Sequence, residues 1–108
     1  MTSSQVALVG RLGAQVRSKE LPSGDVITTF TDIVDRPARE RRGGQKAATV
    51  DAIACTTTRA RTRSLVERLE PGTVVSVEGT LRRRFWRGGN GAPVGSTMEV
   101  VVRSLTKA

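Results

Sequence analysis

Five segments of this sequence have the residue pattern of β-strands. They are rich in valine, isoleucine and threonine, whose branched side chains favour extended backbone, and apolar and polar positions alternate in several of them. Clusters containing glycine and proline separate most of the segments, as expected where a chain reverses direction. We therefore predict an all-β chain. The predicted strands are residues 5–12, 26–34, 49–57, 73–86 and 97–105.

One short helix is predicted between the third and fourth strands, over residues 58–69. Its expected N-cap is Thr58, and Pro71-Gly72 follows it as a stop signal. Its apolar face carries Leu65, Val66 and Leu69. Three strands, a helix and two strands is the order of the five-stranded oligonucleotide-binding (OB) fold, whose closed barrel leaves no exposed sheet edge. We predict this fold as one domain spanning residues 1–108, with an open α+β domain as the alternative.

Glycines lie inside the predicted strands, where a small barrel has to bend. Gly10 and Gly13 interrupt the first strand, and Gly79 lies at the centre of the fourth. Glycine in a strand interior is typical of a bulge or a tight bend. Phe30 is the expected core anchor of the second strand. These positions are consistent with strong curvature.

Catalysis and metal binding are disfavoured by residue types that the sequence lacks. It contains no histidine, the commonest general base and metal ligand, and only one cysteine, Cys55, which cannot form an internal disulfide. We interpret Cys55 as a small core hydrophobe. No stretch resembles a secretory signal or a bilayer-spanning run of about 20 apolar residues. We expect a cytoplasmic, non-enzymatic protein without metal or cofactor.

The charge balance points to a polyanionic partner. Lysine and arginine total 18 against 10 aspartate and glutamate residues, which gives a net charge of +8. A strongly basic small domain is typical of nucleic-acid binders, because each neutralised phosphate releases condensed counterions. The alternative interpretation is a charge that only keeps the protein soluble.

The sequence RRRFWR at residues 82–87 is the main candidate for contact with nucleic acid. Alternate strand residues share a face, so Arg82, Arg84 and Trp86 are expected on one face, with Arg83 and Phe85 on the other. The face of Phe85 continues that of Val75, Val77 and Leu81, so we predict that it faces the core and that Trp86 is exposed. Exposed aromatic rings stack on the bases of single strands, and arginines contact phosphates.

Two other basic regions complete the predicted site. The glycine-containing loop of residues 36–48 carries five basic residues against Glu40 alone, a density suited to clamping a polyanion. Arg59, Arg61 and Arg63 lie on the predicted helix, where they can equally form an ordinary solvated face. The predicted nucleic-acid-binding residues are Trp86, Arg82, Arg84, Arg87, Arg36, Arg39, Arg41, Arg42, Lys46 and Arg59.

The sequence resembles the bacterial single-stranded DNA-binding protein family over nearly its whole length. The matching blocks, in the family's order and spacing, are VALVGRLG at 6–13, Gly24 followed by VITTFT at 26–31, LEPGTVV at 69–75, VEGTLR at 77–82 and TMEVV at 97–101. The resemblance implies an OB barrel, assembly into homodimers or homotetramers, and sequence-independent binding of single-stranded DNA in replication, recombination or repair.

The sequence departs from the family pattern at several positions. Positions that are usually stacking aromatics in the family match Asp35 or Arg36, Asp51 and Thr57 here, and only Trp86 matches a typical DNA-stacking position. The sequence also ends at Ala108 without the family's disordered tail and its acidic tip. We therefore expect a divergent, tailless paralogue that depends more on arginine than on stacking.

Other functions remain open from the sequence. The missing aromatics favour an OB-fold protein-interaction or primosome-like module, and RNA is an alternative ligand to DNA. A metal site formed by Asp32, Asp35 and Asp51 is a weak third possibility, because these carboxylates are scattered along the chain. The apolar first strand predicts a homo-oligomer in which residues 6–12 contribute to the interface.

Overall fold

Six strands and one helix are present in the part of the chain that a computed structural model describes, namely residues 1–37, 49–87 and 94–108. The side chains of Arg87 and Val94 lie outside that description. In chain order the elements are β1 (Gln5–Leu12), β2 (Arg17–Glu20), β3 (Val26–Asp35), β4 (Val50–Thr57), α1 (Ala60–Arg68), β5 (Val74–Arg87) and β6 (Val94–Lys107).

The strands form one sheet that closes on itself. Their order is β1-β5-β6-β4-β3-β2, and β1 also pairs with β3 at Arg11 and Leu12. β4 and β6 pair in parallel, at Cys55 with Val100 and at Thr56 with Val101, whereas the other pairs are antiparallel. This closed sheet, with α1 after the third predicted strand, confirms the OB fold and excludes the open α+β alternative.

The predicted strands are all present, with one addition. β1 has the predicted bounds, while β6 is longer than predicted at both ends because it pairs along β5 from Val94 to Lys107. The prediction missed β2, whose sequence RSKE is fully exposed and has no apolar alternation. β2 forms by pairing with the start of β3 across the predicted turn, where Gly24 has a φ of 91°.

The barrel interior is filled by side chains from five strands and the helix. Phe30 is buried there as predicted, and Val66 is the fully buried residue of α1. Cys55 is also buried, and its loss of solvation raises the pKa of its thiol to about 12, so it is uncharged and packs as a hydrophobe. The core consists of Leu12, Phe30, Cys55, Val66, Val75, Val77, Val100, Val102 and Leu105.

Two of the glycines predicted to permit bending lie at very close backbone approaches. A Cβ on Gly10 would lie 2.6 Å from the carbonyl oxygen of Ile33 and would collide with the Asp32 carboxylate. A Cβ on Gly79 would collide with the carbonyl group of Val101, beside a register shift that leaves Arg103 as an extra residue on β6. Both sites require glycine because they have no room for a side chain.

The helix begins differently from the prediction. Arg59, not Thr58, occupies the N-cap, and no side chain caps the helix there. The Thr57 hydroxyl instead accepts a hydrogen bond from the Arg59 N–H, at 3.2 Å. The expected apolar face is confirmed, since Val66 is buried and Leu65 and Leu69 pack against the core. No helix in the described ranges is long and apolar enough to span a membrane.

Asp32 is the unusual polar residue of the barrel interior. It is fully buried on β3, and neither carboxylate oxygen has a hydrogen-bond partner among the described residues. Loss of solvation raises the pKa of this carboxyl group above its ordinary value. Because an unpaired buried carboxylate is costly, Asp32 is expected to destabilise the barrel whenever it is ionised.

Replacing Asp32 by asparagine should remove a pH-dependent loss of stability. The folded-state pKa lies above the unfolded value, so the folded protein holds this proton to higher pH. The wild-type free energy of unfolding should therefore fall, relative to Asp32→Asn, as pH rises from below the unfolded pKa through the folded pKa. We expect the variant to be about 1 kcal/mol more stable at neutral pH. Urea denaturation across this pH range measures the difference.

The control variant is Asp25→Asn, which removes a carboxylate from an exposed turn and changes the net charge equally. A stability difference between wild type and Asp32→Asn that does not change with pH would contradict the assignment of a destabilising buried charge.

Candidate nucleic-acid interface

Residues 82–87 and 94–99 form a two-stranded arm that projects from the barrel. β1 pairs with β5 only as far as Thr80, and β4 pairs with β6 only at Val100 and Val101. Beyond these points β5 and β6 pair with each other, through Arg87 and Val94, and with no other described strand. Both faces of the arm are therefore available to a ligand.

One face of the arm carries the predicted contact residues together. Arg82 lies opposite Glu99, Arg84 opposite Thr97 and Trp86 opposite Gly95. Arg82, Arg84 and Trp86 are all exposed, and neither arginine side chain has a hydrogen bond or ion pair with another described residue. The predicted strand alternation is confirmed here, and we refer to this surface as the Trp86 face.

Trp86 is held by packing of its indole against the backbone of Gly95. A Cβ on Gly95 would collide with indole atoms Cζ2 and Cε2, so the ring lies against the place where a side chain would be. The residue remains 49% exposed, as predicted for a stacking residue. Covering of an edge glycine by an aromatic ring is a known way of fixing both residues in a sheet. No pattern in the sequence predicts this role for Gly95.

A groove of about 310 Å³ runs beside the Trp86 face. Arg84 and Thr97 of the arm line one side, and residues 29–31 of β3 with Ala54 and Cys55 of β4 line the other. Arg17 of β2 adds a second guanidinium, whose Nη2 donates to Gln15 Oε1 at 3.2 Å. Arg17 was not predicted as a site residue, because β2 has no recognisable strand pattern. The groove thus adds a basic group and hydroxyl groups to the arm, beside the Glu99 carboxylate that also lines it.

The prediction that Leu81 and Phe85 face the core is wrong. Phe85 is 68% exposed and Leu81 41% exposed, and both lie on the face of the arm opposite Trp86. Strand alternation correctly places them with Val75 and Val77, but β1 pairs with β5 only as far as Thr80, so both side chains lie beyond the described strands that enclose the core. On the same face, Arg83 Nη1 donates to Ser96 Oγ at 3.0 Å.

Arg36 is engaged with a neighbouring acid. Its Nε and Nη2 both donate to Asp51 Oδ1, at 3.0 and 2.8 Å. This hydrogen bonding lowers the pKa of the Asp51 carboxyl. The pair joins the end of β3 to the start of β4, on either side of residues 38–48. Arg39, Arg41, Arg42 and Lys46 lie outside the described residues, as does the side chain of Arg87.

The positions that lack the family's aromatics have structural roles here. Asp51 accepts the two hydrogen bonds from Arg36, and Thr57 is buried, with its hydroxyl donating to the Val102 carbonyl at 3.4 Å. The scattered-aspartate metal site is not supported, because Asp35 pairs with Arg11 at 3.0 Å while Asp32 is buried. The described parts of the chain contain no cluster of three metal-ligating side chains.

Arg59 lies apart from the Trp86 face. It borders a pocket between α1 and β6 together with Arg61 and Arg103. That pocket includes Leu105, which pairs with Val77, nine residues before Trp86 along β5. At roughly 3.3 Å per strand residue the separation is about 30 Å. The predicted site residues therefore fall into at least two groups.

Comparison with known proteins assigns the chain to a family. A sequence model described as "Single-strand binding protein family" matches residues 3–107. Single-stranded DNA-binding protein 3 of Listeria innocua is 32% identical over 102 residues, which are 94% of this chain and 61% of that protein. The single-stranded DNA-binding protein of Oceanobacillus iheyensis is 31% identical with the same coverage. The chain thus spans about three fifths of the length of these relatives.

Solved structures support the fold independently. The structure of a Plasmodium falciparum SSB complex with ssDNA superposes with a TM-score of 0.81 at 22% identity, covering 100% of this chain and 97% of that one. A mitochondrial single-stranded DNA-binding protein of Saccharomyces cerevisiae superposes with a TM-score of 0.70 at 18% identity, covering 99% and 96%. With an OB barrel that superposes on these structures and a family match over residues 3–107, this chain belongs to the single-strand binding protein family.

Proposed function

We propose that this protein binds single-stranded DNA without sequence preference and without catalysing a reaction, in replication, recombination or repair. The observation that carries the proposal is the Trp86 face, where an exposed indole lies beside two arginines that have no protein partner among the described residues. Membership of the single-strand binding protein family and the names of its relatives support the same function. The lone, unpaired Cys55 is consistent with a cytoplasmic location.

The geometry of the Trp86 face suits a single strand better than a duplex. The bases of a single strand are free to stack on the indole, which contributes about 1–3 kcal/mol per base and requires no particular base identity. Arg82 and Arg84 lie on the barrel side of the indole along β5, where they can contact phosphates that precede or follow the stacked base. The adjoining groove offers the strand a path past Arg17 and Thr97.

Binding should depend strongly on charge, because stacking partners are few. Asp51 and Thr57, which replace aromatics of the family, are engaged within the protein and offer no ring. The basic residues of the 36–48 loop remain predicted contacts. This balance favours DNA binding that weakens steeply with salt. No feature of the Trp86 face favours the alternative of an OB-fold interaction module without DNA binding.

Binding of oligo-dT of about 35 nucleotides should quench the fluorescence of Trp86, the only tryptophan, and should persist in the presence of matched duplex competitor. With labelled oligonucleotide, Trp86→Ala should weaken binding by roughly 10- to 100-fold through loss of stacking. Matched RNA as a competitor tests the preference for DNA.

Phe85→Ala is the matched control, because Phe85 is the neighbouring exposed aromatic on the opposite face of the arm. A larger loss of affinity in Phe85→Ala than in Trp86→Ala would place the DNA on the other face. Absence of binding at low salt would refute the proposed function.

The salt dependence should report the phosphate contacts. For a single strand, each phosphate contact contributes roughly 0.7 to the slope of log K against log salt concentration. With about four to six phosphates engaged, log K should fall by about 3 to 4 per decade of salt. Replacing both Arg82 and Arg84 by alanine should reduce this slope by about 1.4, since two contacts are removed. Arg83→Ala, on the opposite face, should leave the slope unchanged. A nearly flat titration for the wild type would disprove an arginine-dependent mode.

We also infer that the protein forms a homo-oligomer through β1. On the edge away from β5, β1 pairs with another described strand only at Arg11 and Leu12, which leaves the backbone of residues 5–9 open. Val9 is 62% exposed beside Val74, so apolar surface adjoins this open edge. A second copy presenting the same edge would satisfy the unpaired backbone groups by two-fold symmetry.

Light scattering should therefore give a mass that is a multiple of the 11.6 kDa chain at micromolar concentration. Val9→Asp should shift the mass toward that of one chain, because it places a charge at the proposed contact. Met98→Asp, a comparable change on the arm, should not. A wild-type protein that is monomeric at this concentration would refute the inference.

A further inference from the structure

The pocket between α1 and β6 has features that the proposed DNA contact does not use. It encloses about 700 Å³, more than the groove beside the Trp86 face. It lies about 30 Å from Trp86 along the β5–β6 ladder, at roughly 3.3 Å per residue. One nucleotide stacked on Trp86 cannot reach it, so the stacking contact and the pocket are separate places on the protein.

Three guanidinium groups surround this pocket without an acidic partner. Arg59 and Arg61 come from the start of α1, and Arg103 is the extra residue at the bulge in β6. None of the three side chains has a hydrogen bond or ion pair with another described residue. Like charges gathered around one cavity raise its positive potential, and a bound anion would lower their mutual repulsion.

Donors of α1 add to this preference for an anion. No side chain caps the helix, and its first turn contains no acidic residue. The first backbone N–H groups of a helix carry partial positive charge. Thr62, which also lines the pocket, is only 6% exposed, and its hydroxyl forms no hydrogen bond with the other described residues. A carboxylate bound at this position would accept hydrogen bonds from the first N–H groups of α1 and from the Thr62 hydroxyl.

The lining of the pocket distinguishes it from the Trp86 face. Its apolar part consists of Leu65 and Leu105 together with the methyl groups of small residues, and none of the described residues that line it is aromatic. The pocket therefore offers no ring on which a base could stack, whereas an aliphatic side chain fits against leucine. Carboxylates flanking an aliphatic residue are found in acidic peptide segments and not in a nucleic-acid strand.

We propose that the α1–β6 pocket binds a short acidic peptide segment of a partner protein. Its carboxylates pair with Arg59, Arg61 and Arg103, and an aliphatic side chain packs on Leu65. Charge complementarity selects the acidic partner, and the leucine floor selects its apolar residue. The proposal is independent of DNA binding at Trp86, so the protein would hold DNA and a partner at the same time.

The test uses a fluorescein-labelled peptide of alternating aspartate and leucine and the full chain. Arg61→Glu and Arg103→Glu should each weaken peptide binding by about tenfold, because each change replaces an attraction by a repulsion. Arg84→Glu, an identical change on the Trp86 face, should leave peptide binding unchanged. A second peptide with serine in place of leucine should bind more weakly to the wild type.

Oligo-dT binding is measured on the same samples, so failure of the peptide site and failure of the DNA site are distinguished. Thermal unfolding shows whether each variant is folded. If a glutamate variant is unfolded, Arg61→Gln or Arg103→Gln is used in its place. Three results would overturn the proposal: no peptide binding to the wild type, equal binding to the pocket variants, or displacement of the peptide by oligo-dT with parallel loss of dT affinity in those variants. The last result would make the pocket part of the DNA site.

Discussion

Closure of the barrel depends on the passage of β1 across β3 at Gly10. The backbones come so close there that a single Cβ would meet the Ile33 carbonyl and the Asp32 carboxylate. Because β1 also pairs with β5, this crossing converts a six-stranded sheet into a closed surface around the core. The same crossing encloses Asp32, which loses its water without gaining a hydrogen-bond partner among the described residues. Closure thus stabilises the core and creates its least favourable group.

The arm follows from how the closed sheet ends. β5 and β6 are 14 residues each. β1 and β4 pair only with the inner parts of these two strands. The outer parts continue as an antiparallel pair that no other described strand joins. Within the barrel the strand alternation separates core from solvent, but on the arm it separates one exposed face from another. Arg82, Arg84 and Trp86 occupy one of these faces, and Arg83, Phe85 and Met98 occupy the other.

Much of this architecture follows from residue patterns, and the exceptions have physical causes. β1 was predicted to the residue because its apolar periodicity and glycines are local features. β2 could not be predicted, since its four exposed residues form a strand only by pairing with β3. Alternation correctly grouped Phe85 with Val77, but it does not reveal where the barrel ends. The Arg36–Asp51 pair and the convergence of Arg59 with Arg103 join distant positions, and their geometry depends on the closed fold.

The packing of Trp86 on Gly95 has a consequence for how a strand would be held. With Cζ2 and Cε2 packed against Gly95, the indole receives a base on the part of the ring that remains exposed. This packing restricts the ring before a base arrives, so less rotamer entropy is lost on stacking than for a side chain without such a contact. A neighbouring base can then replace the first without any protein rearrangement. Such a contact favours a strand that slides in single-nucleotide steps over one that is locked in register.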